Sequence, residues 1–563
     1  MNEKYEYWRN FVADKKIKRE LQKLSEKEIV TNFSSSLSFG TAGMRGVMAP
    51  GSGCLNALTV SKLADAVGRY LQNKNARVAI SFDTRFNSKD FSRLFAKILA
   101  EYGVEVLLFR DYSPTPVLVY AGIHYRCDIS VIITASHNRK EYNGIKLYDK
   151  YGIQIDKSVQ EKIIDLFNKT DEVEVYNRAY SKKLGKVKFI EKDFIDIYLQ
   201  KCLKNSSVEK EEKNSKNTEK IANFSENLVK NGEKNEIFDK NEQITKKEQR
   251  SLKITYTPLN GTGFRYVERL LGKNGFTFHR AQAKPDPNFS TCPYPNPEFE
   301  EAFIEAKKVA KKYDSDIIIA TDPDADRLGV MVKDGEEYVK LSGNEVGYIF
   351  ADYLLSGTNG KAVVTSVVTS PLIDKICKQN DAKLYKTLTG FMSMGSKAKE
   401  LSKKYGRKNI VLIYEESCGY AVGNIYDKDG ITASLLIVQI AEKLKKEGKT
   451  LFDYLSDIYT RYGNMTALSS SIALFNSGCV VDKIRKTKLK SMKMAFDKII
   501  DYQNDNTRLP KQNFLEFRFK DGSFIIRPSG TEPKLKIYLF HKDEKRAHEL
   551  LNKLINHLKS IKI

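Results

Sequence analysis

Short apolar runs alternate along this chain with segments of helical period, and that alternation limits the folds open to it. A-R-V-A-I-S-F at 76–82, V-E-V-L-L-F at 104–109, D-I-I-I-A at 316–320 and A-V-V-T-S-V-V at 362–368 read as buried strands. Between such runs, T-V-S-K-L-A-D-A-V-G-R-Y-L (59–71) and F-S-R-L-F-A-K-I-L-A-E-Y (91–102) read as helices with an apolar face. Strand, helix, strand in repetition implies α/β units with mixed, mostly parallel sheets. Open sheets of this kind present their working loops at the carboxyl ends of strands. At 563 residues the chain needs several cores. The tail after 450 reads as a distinct last unit. It holds a helix near 480–503, a strand pair around Asp521-Gly522, a polar loop, another strand and a closing helix from 543. Residues 1–35 read as one charged helix capping the first unit, and no internal repeat is visible at the residue level.

Composition excludes several classes. Hydrophobic residues make up 41% and charged residues 29%, a balance ordinary for soluble proteins. No run approaches 18 apolar residues, so no membrane span is expected. The start, M-N-E-K-Y-E-Y-W-R-N, lacks an apolar core, so no secretory signal is expected. The 7 cysteines are scattered and without C-x-x-C pairs, which fits reduced thiols and a cytoplasmic location. The net charge of +23 has a bland reading, lysine-biased helix faces, and a second one, attraction of anionic substrates. Without an RNP motif, a zinc finger or a continuous basic stripe, neither nucleic acid nor membrane is expected as a partner. Residues of roughly 203–252 are rich in Lys, Glu and Asn and poor in aromatics. They cannot bury enough apolar surface to offset ordering entropy and read as a disordered surface insertion.

Four loops carry the chemistry. The first, I-T-A-S-H-N-R-K-E-Y-N-G-I-K-L-Y at 133–148, follows the apolar run C-D-I-S-V-I-I-T and presents Ser136, His137, Asn138 and Lys146. A serine at a strand end can be a nucleophile, and the neighbouring histidine and lysine can bind an anion or move protons. A polar turn is the alternative. The second loop, Thr321-Asp322-Pro323-Asp324-Ala325-Asp326-Arg327, sets three carboxylates at alternate positions, a hard-oxygen set suited to Mg²⁺. An EF-hand is excluded, because its required glycine is Arg327 and its required glutamate is Lys333. A solvated acidic turn is disfavoured, since three like charges repel unless a cation joins them. The third loop, Tyr414-Glu415-Glu416-Ser417-Cys418-Gly419-Tyr420, can grip adjacent sugar hydroxyls, or can equally start a capped helix. The fourth, Arg527-Pro528-Ser529-Gly530-Thr531-Glu532-Pro533-Lys534, is a plausible phosphate cradle without a Walker lysine.

Taken together and in this order, the four loops resemble the α-D-phosphohexomutase superfamily over nearly the whole chain outside the insertion. F-G-T-A-G-M-R-G at 39–46 and P-D-P-N-F-S-T at 285–291 are similar to the branch containing bacterial phosphoglucomutases and the eukaryotic phosphoglucomutase-2/phosphopentomutase group. The resemblance implies three similar α/β domains and a smaller C-terminal α+β domain around a central cleft. The boundaries fall at 1–188, 189–335, 336–455 and 456–563. It implies a phosphoserine at Ser136, with Mg²⁺ held by Ser136, Asp322, Asp324 and Asp326. It implies catalytic parts for His137, Lys146 and Arg327. Substrate contacts would come from Arg45, Asn138, Thr389, Gly390, Glu415, Ser417, Arg527, Ser529, Gly530, Thr531 and Lys536. The implied reaction interconverts glucose 1-phosphate and glucose 6-phosphate, with glucose 1,6-bisphosphate as activator, in a monomer or weak dimer.

Two departures bear on the substrate. Ser417 is retained where relatives preferring pentose phosphates tend to replace it, which favours a hexose. Met392 stands where relatives usually carry lysine, so a cationic contact is missing or is covered by a neighbouring lysine. Arg139 replaces the usual proline after Ser-His-Asn. Mannose and pentose phosphates, a sugar-bisphosphate synthase and a weakly active phosphosugar-binding protein are the alternatives.

Overall fold

The computed structural model describes residues 2–37, 39–40, 43–72, 74–181, 187–206, 250–423, 425–474, 476–489, 492, 494–529 and 534–561. Gly530 and Thr531, Thr41 and Ala42 of the first glycine-rich motif, and 207–249 of the expected insertion lie outside the described residues.

Among the described residues, four sheets organise the chain. The first contains β1 (Phe39–Gly40), β2 (Gly43–Val47), β3 (Arg77–Phe82), β4 (Glu105–Phe109), β5 (Ile129–Ile133), β6 (Tyr142–Asp149) and β7 (Val187–Ile190), in the order β1-β2-β6-β5-β3-β4-β7. The second contains β8 (Lys253–Thr257), β9 (Thr277–Arg280), β10 (Ile317–Thr321), β11 (Leu328–Asp334) and β12 (Glu337–Leu341), ordered β12-β11-β10-β8-β9. The third contains β13 (Ala362–Ser366), β14 (Lys383–Thr387), β15 (Ile410–Glu415) and β16 (Gly419–Val422), ordered β14-β13-β15-β16. The fourth, β17 (Thr466–Ala473), β18 (Lys498–Asp501), β19 (Leu515–Phe519), β20 (Gly522–Pro528) and β21 (Lys534–His541), is antiparallel throughout, with β21 between β17 and β20.

A repeat emerges here that the residues conceal. β3 pairs parallel with β4 and β5, and β5 pairs antiparallel with β6. β8 pairs parallel with β9 and β10, and β10 antiparallel with β11. β13 pairs parallel with β14 and β15, and β15 antiparallel with β16. The same four-strand motif is therefore used three times. Central strands such as β3, β5, β10 and β13 are buried along nearly their whole length, as expected for strands covered by helices on both faces.

The helices form where the apolar period predicts, and their caps set the ends. Asn56 caps Ala57–Leu71 with a capping box, and Ser342 does the same for Gly343–Leu355. The N-terminal segment differs from the single expected helix. Asn2, Asp14 and Ser25 each cap a separate helix, giving Glu3–Phe11, Lys15–Gln22 and Glu26–Phe33. Trp8 is fully buried there, edge-on to Phe33 at 5.2 Å. Its indole N–H donates to Glu172 at 3.1 Å, and burying such a ring is worth roughly 1.5–3 kcal/mol. The helix expected near 480–503 is also shorter. It runs Ser477–Thr487 and stops because Lys488 and Leu489 turn left-handed, at φ 50° and 52°, after which 498–501 is strand β18. Strand β17 was not anticipated. At the insertion, residues 203–206 complete the helix Phe194–Ser206 and are not disordered, because Cys202 and Tyr198 anchor that helix in the core. At the other edge Leu252 is buried, its N–H donating to Glu442 at 2.9 Å. Among the described residues no helix is long and apolar enough to cross a membrane.

Candidate active site

In each copy of the repeated motif the chain leaves the third strand at its carboxyl end and returns as the antiparallel fourth. Each return needs a sharp reversal, and each is made by one non-glycine residue in the left-handed region. These are Ser136 (φ 53°) between β5 and β6, Ala325 (φ 53°) between β10 and β11, and Cys418 (φ 65°) between β15 and β16. Such a conformation costs about 1–3 kcal/mol per residue and persists only where its surroundings impose it. The loops so formed are the first three expected from sequence.

Ser136 is buried, and its Oγ donates to Asp322 Oδ2 at 2.7 Å. His137 Nδ1 lies 3.1 Å from the same Oγ. The Ser136 N–H is held by Thr134 Oγ1 at 2.8 Å. Asn138 turns its amide oxygen to Arg45, which donates from Nη1 at 3.1 Å. His137 is held well below the usual imidazole range by burial and by the cations Arg327, Arg45, Lys428 and Lys146 around it.

Asp322, Asp324 and Asp326 are fully buried, and each offers an oxygen within 4.8 Å of the others. Burial and the two neighbouring carboxylates push Asp322 well above the usual range. Burial acts on Asp324 the same way, but Lys146, 2.7 Å from its Oδ2, overrides it and holds this carboxyl well below that range. Lys146 Nζ also lies 2.9 Å from Asp326 Oδ2. Burial opposes its charge, yet the two aspartates carry it above an ordinary lysine, so it is held protonated. Thr115 donates to Asp324 Oδ2 at 2.6 Å. The other oxygens, Asp324 Oδ1 and Asp326 Oδ1, are buried without a hydrogen-bond partner. A buried carboxylate oxygen left bare is costly. Three converging carboxylates with two bare oxygens fit a hard divalent cation such as Mg²⁺.

The aspartate loop and the third loop are tied by main chain. Leu328 N–H donates to Cys418 O at 3.0 Å, and Arg327 Nη1 to Ser417 O at 3.0 Å. Glu298 pairs with Arg327 at 3.5 Å. Gly430 cannot carry a side chain, because a Cβ there would lie 2.4 Å from Arg327 O. Lys428 Nζ is 3.5 Å from Asp326 Oδ2 and 3.9 Å from Glu415 Oε1, and lies over the Phe391 ring at 5.5 Å. Thr389 and Gly390 directly precede the helix Phe391–Tyr405, with Gly390 as its N-cap. Met392, in its first turn, packs with Sδ 3.7 Å from Gln160 Nε2, a residue of the first unit.

On the fourth sheet, Arg527 and Lys536 are register partners on β20 and β21. Arg527 Nη2 donates to Tyr538 OH at 2.9 Å, while its Nε is buried without a partner. Burial, and then Arg527, lower Lys536 below an ordinary lysine. Ser529 N–H donates to Lys534 O at 2.8 Å. Glu416 faces this cation pair, and burial and the neighbouring Glu415 raise it to about 7.

Direct contacts therefore join Ser136, His137, Asn138, Arg45, Lys146, the three aspartates, Arg327 and the Glu415–Ser417 loop into one cluster. Arg527 and Lys536 are coupled to that loop through the charge of Glu416. Four residues of the neighbourhood escaped the sequence reading: Arg85, Thr115, Glu298 and Lys428. Lys428 sits in D-K-D-G, where the visible signal was the Asp429 cap of the helix Gly430–Lys446. Thr115, in S-P-T-P, reads as a helix start, which it also is.

Comparison with known proteins identifies the family. The chain matches the four domains described for phosphoglucomutase/phosphomannomutase: α/β/α domain I over 36–174, domain II over 233–335, domain III over 342–462 and the C-terminal domain over 480–557. It is 32% identical over 562 residues to a phosphoglucomutase of Staphylococcus aureus (strain USA300), covering 95% of each chain. It is 32% identical over 536 residues to one of Staphylococcus haemolyticus, covering 90% of each. Among solved structures, parafusin (a phosphoglucomutase) from Paramecium in its open form superposes with a TM-score of 0.66 at 18% identity, over 93% of this chain and 95% of that one. A phosphoglucomutase/phosphomannomutase family protein from Burkholderia thailandensis gives 0.66 at 18%, over 93% and 97%. These two likenesses concern the fold. The chain belongs to the phosphoglucomutase/phosphomannomutase family of the α-D-phosphohexomutase superfamily, isomerases that act on phosphosugars.

Proposed function

We propose that the protein interconverts α-D-glucose 1-phosphate and glucose 6-phosphate through a phosphoserine at Ser136. The observation that carries the reading is the Ser136 Oγ to Asp322 Oδ2 contact of 2.7 Å, which sets a buried nucleophile on a buried triple-aspartate cluster ringed by cations. In the first half-reaction the phosphoryl group on Ser136 passes to the free hydroxyl of the bound hexose monophosphate. The serine O–P bond breaks, a sugar O–P bond forms, the proton of the sugar hydroxyl passes by way of Lys146 to the departing serine oxygen, and a bisphosphate results. The bisphosphate reorients, and its original phosphate returns to Ser136.

Each residue has a part in this scheme. Asp322, Asp324, Asp326 and the Ser136 phosphate would hold Mg²⁺. When bound, the metal supplies charge neutralisation for phosphoryl oxygens. Arg327 and Arg45 balance the moving phosphate. Lys146, held between two aspartates, is suited to donate a proton to the serine or sugar oxygen as it leaves phosphorus, with His137 Nδ1 beside the serine. Glu415 and Ser417 grip sugar hydroxyls, with Lys428 covering the cation that Met392 lacks. Arg527, Ser529 and Lys536 hold the non-reacting phosphate, together with Gly530 and Thr531.

On this reading the domains divide at 188, 335 and 455. The protein works as a cytoplasmic monomer, activated by glucose 1,6-bisphosphate, on small molecules alone. Its 7 free cysteines suit a reducing compartment. The test is a ³¹P NMR time course with Mg²⁺, trace glucose 1,6-bisphosphate and equimolar glucose, mannose and ribose 1-phosphates. Glucose 1-phosphate is expected to convert first. Faster conversion of the mannose or ribose ester would make the protein a phosphomannomutase or phosphopentomutase. No conversion with Ser136 phosphorylated would leave bisphosphate synthesis or binding.

A further inference from the structure

The Ser136 loop is held by a residue outside it. The Arg85 side chain is completely buried. Its Nη2 donates to Ser136 O at 2.5 Å and to Asn138 O at 2.6 Å, and its Nη1 to Arg139 O at 2.9 Å and Tyr142 O at 3.1 Å. Asp83 pairs with its Nε at 3.1 Å, and is itself fixed by Ser88 Oγ at 2.8 Å. One guanidinium thus takes up carbonyls along the whole loop. The first of them belongs to Ser136, so the peptide plane that follows the left-handed residue is fixed by Arg85.

The guanidinium is braced from the second unit. Its Cζ lies 4.9 Å from the centre of the Phe289 ring, and Phe289 is fully buried. Phe289 belongs to P-D-P-N-F-S-T, a motif to which the reaction scheme gives no part. The segment is self-supporting. Asp286 accepts from Asn288 N–H and Ser290 N–H, each at 2.9 Å, and Phe289 N–H donates to Asp286 O at 3.0 Å. It is anchored on the turn at Asn260, where Thr291 Oγ1 donates to Asn260 Oδ1 at 2.7 Å and Asp286 N–H to Asn260 O at 3.2 Å. Thr84, next to Arg85, donates to the same Asn260 O at 3.2 Å. Two residues on, Thr262 N–H donates to Pro323 O at 2.8 Å, inside the aspartate loop. A Cβ on Gly261 would lie 2.3 Å from Pro323 Cα, so the turn presses directly on that loop. One turn therefore touches the aspartate loop on one side and the brace of the serine loop on the other.

We infer that Arg85 and Phe289 are positioning residues for Ser136, and that the 285–291 segment sets the serine loop in register with the aspartate loop across the first two units. The inference rests on the reading of Ser136 as the phosphoryl carrier. Neither side chain touches substrate. Phe289 packs over the guanidinium, whose N–H edge holds the four carbonyls, and the guanidinium keeps Oγ aimed at Asp322.

The test uses Arg85→Lys, Phe289→Leu, Phe289→Tyr and the Arg85→Lys/Phe289→Leu double variant of the full chain. Hydrogen exchange is followed over 134–142, with kcat, KM and Tm. Arg85→Lys is expected to speed exchange over 134–142 about tenfold. It should also lower kcat about 10²-fold, the scale of an ångström-sized misplacement, with KM within about threefold. Phe289→Leu keeps the volume but removes the aromatic face, and should move both readouts the same way to a smaller extent. Phe289→Tyr should restore both. The double variant should be no worse than Arg85→Lys. Unchanged exchange over 134–142 in folded Phe289→Leu would overturn the inference, whatever Arg85→Lys does. So would a rise in KM at constant kcat. If the parent turns over no phosphosugar, the mutase reading falls, while the exchange measurements still decide whether the two residues hold the loop.

Discussion

Ser136 and Asp322, 186 positions apart in the chain, meet at 2.7 Å through a hydrogen bond from the serine hydroxyl to the carboxylate. The contact closes the first unit onto the second at the point where a phosphorylated serine would meet a metal. Ser136→Ala removes the only atom of that residue able to carry phosphate. Turnover should fall at least about 10⁴-fold, measured by coupled assay. One lost hydrogen bond costs about 1 kcal/mol, so Tm should move by less than about 4 °C. A folded Ser136→Ala protein with parental activity would remove the phosphoserine mechanism.

Asp324 Oδ1 and Asp326 Oδ1 are the two bare buried oxygens of the aspartate cluster. A divalent cation binding there should stabilise the fold by mass action, about 2.7 kcal/mol at a hundredfold excess over Kd. Calorimetry after chelation should therefore give a lower Tm that Mg²⁺ restores, and chelation should stop turnover. Asp324→Asn should abolish the Mg²⁺-dependent rise in Tm. Equal melting of the parent with and without Mg²⁺ would count against the site.

Lys428 brings a positive charge within 4 Å of both Asp326 and Glu415, beside the helix turn that carries Met392. Lys428→Met should raise KM for the phosphosugar at least about tenfold, the range of a lost charged hydrogen bond. Met392→Lys should change KM far less, since that position faces Gln160 and the cation is already supplied. The reverse ranking, read from initial-rate kinetics, would mean that Lys428 only neutralises Asp326.

The strands that end in the working loops were legible because they are apolar runs followed at once by polar clusters. Ile129–Ile133 before Ser136 and Ile317–Thr321 before Asp322 are both of this kind. The threefold repeat was not legible. It lives in pairing direction and strand order, which apolar side chains satisfy in many ways. Arg85 and Lys428 were hidden for another reason. Each acts on residues distant in sequence, so their neighbours, D-T-R-F and D-K-D-G, carry turn and cap signals and nothing of the site. The single N-terminal helix failed locally, since Asp14 and Ser25 are caps that divide the segment into separate helices.

Glu172 takes three donors at the seam between the N-terminal helices and the first unit: Trp8 Nε1, Lys62 at 2.8 Å and Lys4 at 3.0 Å. Burial alone would raise its pKa, but the lysines override it and hold the carboxyl below its ordinary value. A depressed carboxyl contributes stability above its unfolded pKa, about 4.3, and loses it as pH falls through the folded value. Glu172→Gln should therefore cost about 3 kcal/mol near pH 7, by stranding Lys62. In denaturant melts the gap to the parent should close below about pH 4. A gap independent of pH would mean that packing around Trp8, not charge, holds the seam.

Glu416 moves the other way, raised to about 7 by burial and by Glu415, with Arg527 opposing. Below that pH it is neutral, and on the proposed function the Arg527–Lys536 pair would meet the substrate phosphate with its full charge. Above it, Glu416 ionises and offsets part of that charge. KM for the phosphosugar should rise two- to fivefold between pH about 6.5 and 8, equivalent to about 0.5–1 kcal/mol. The second ionisation of the substrate phosphate acts in the opposite sense and is common to parent and variant. Glu416→Gln should therefore have a KM that falls or stays level over the same range. Parallel profiles for the two proteins would show that Glu416 has no influence on the phosphate cradle.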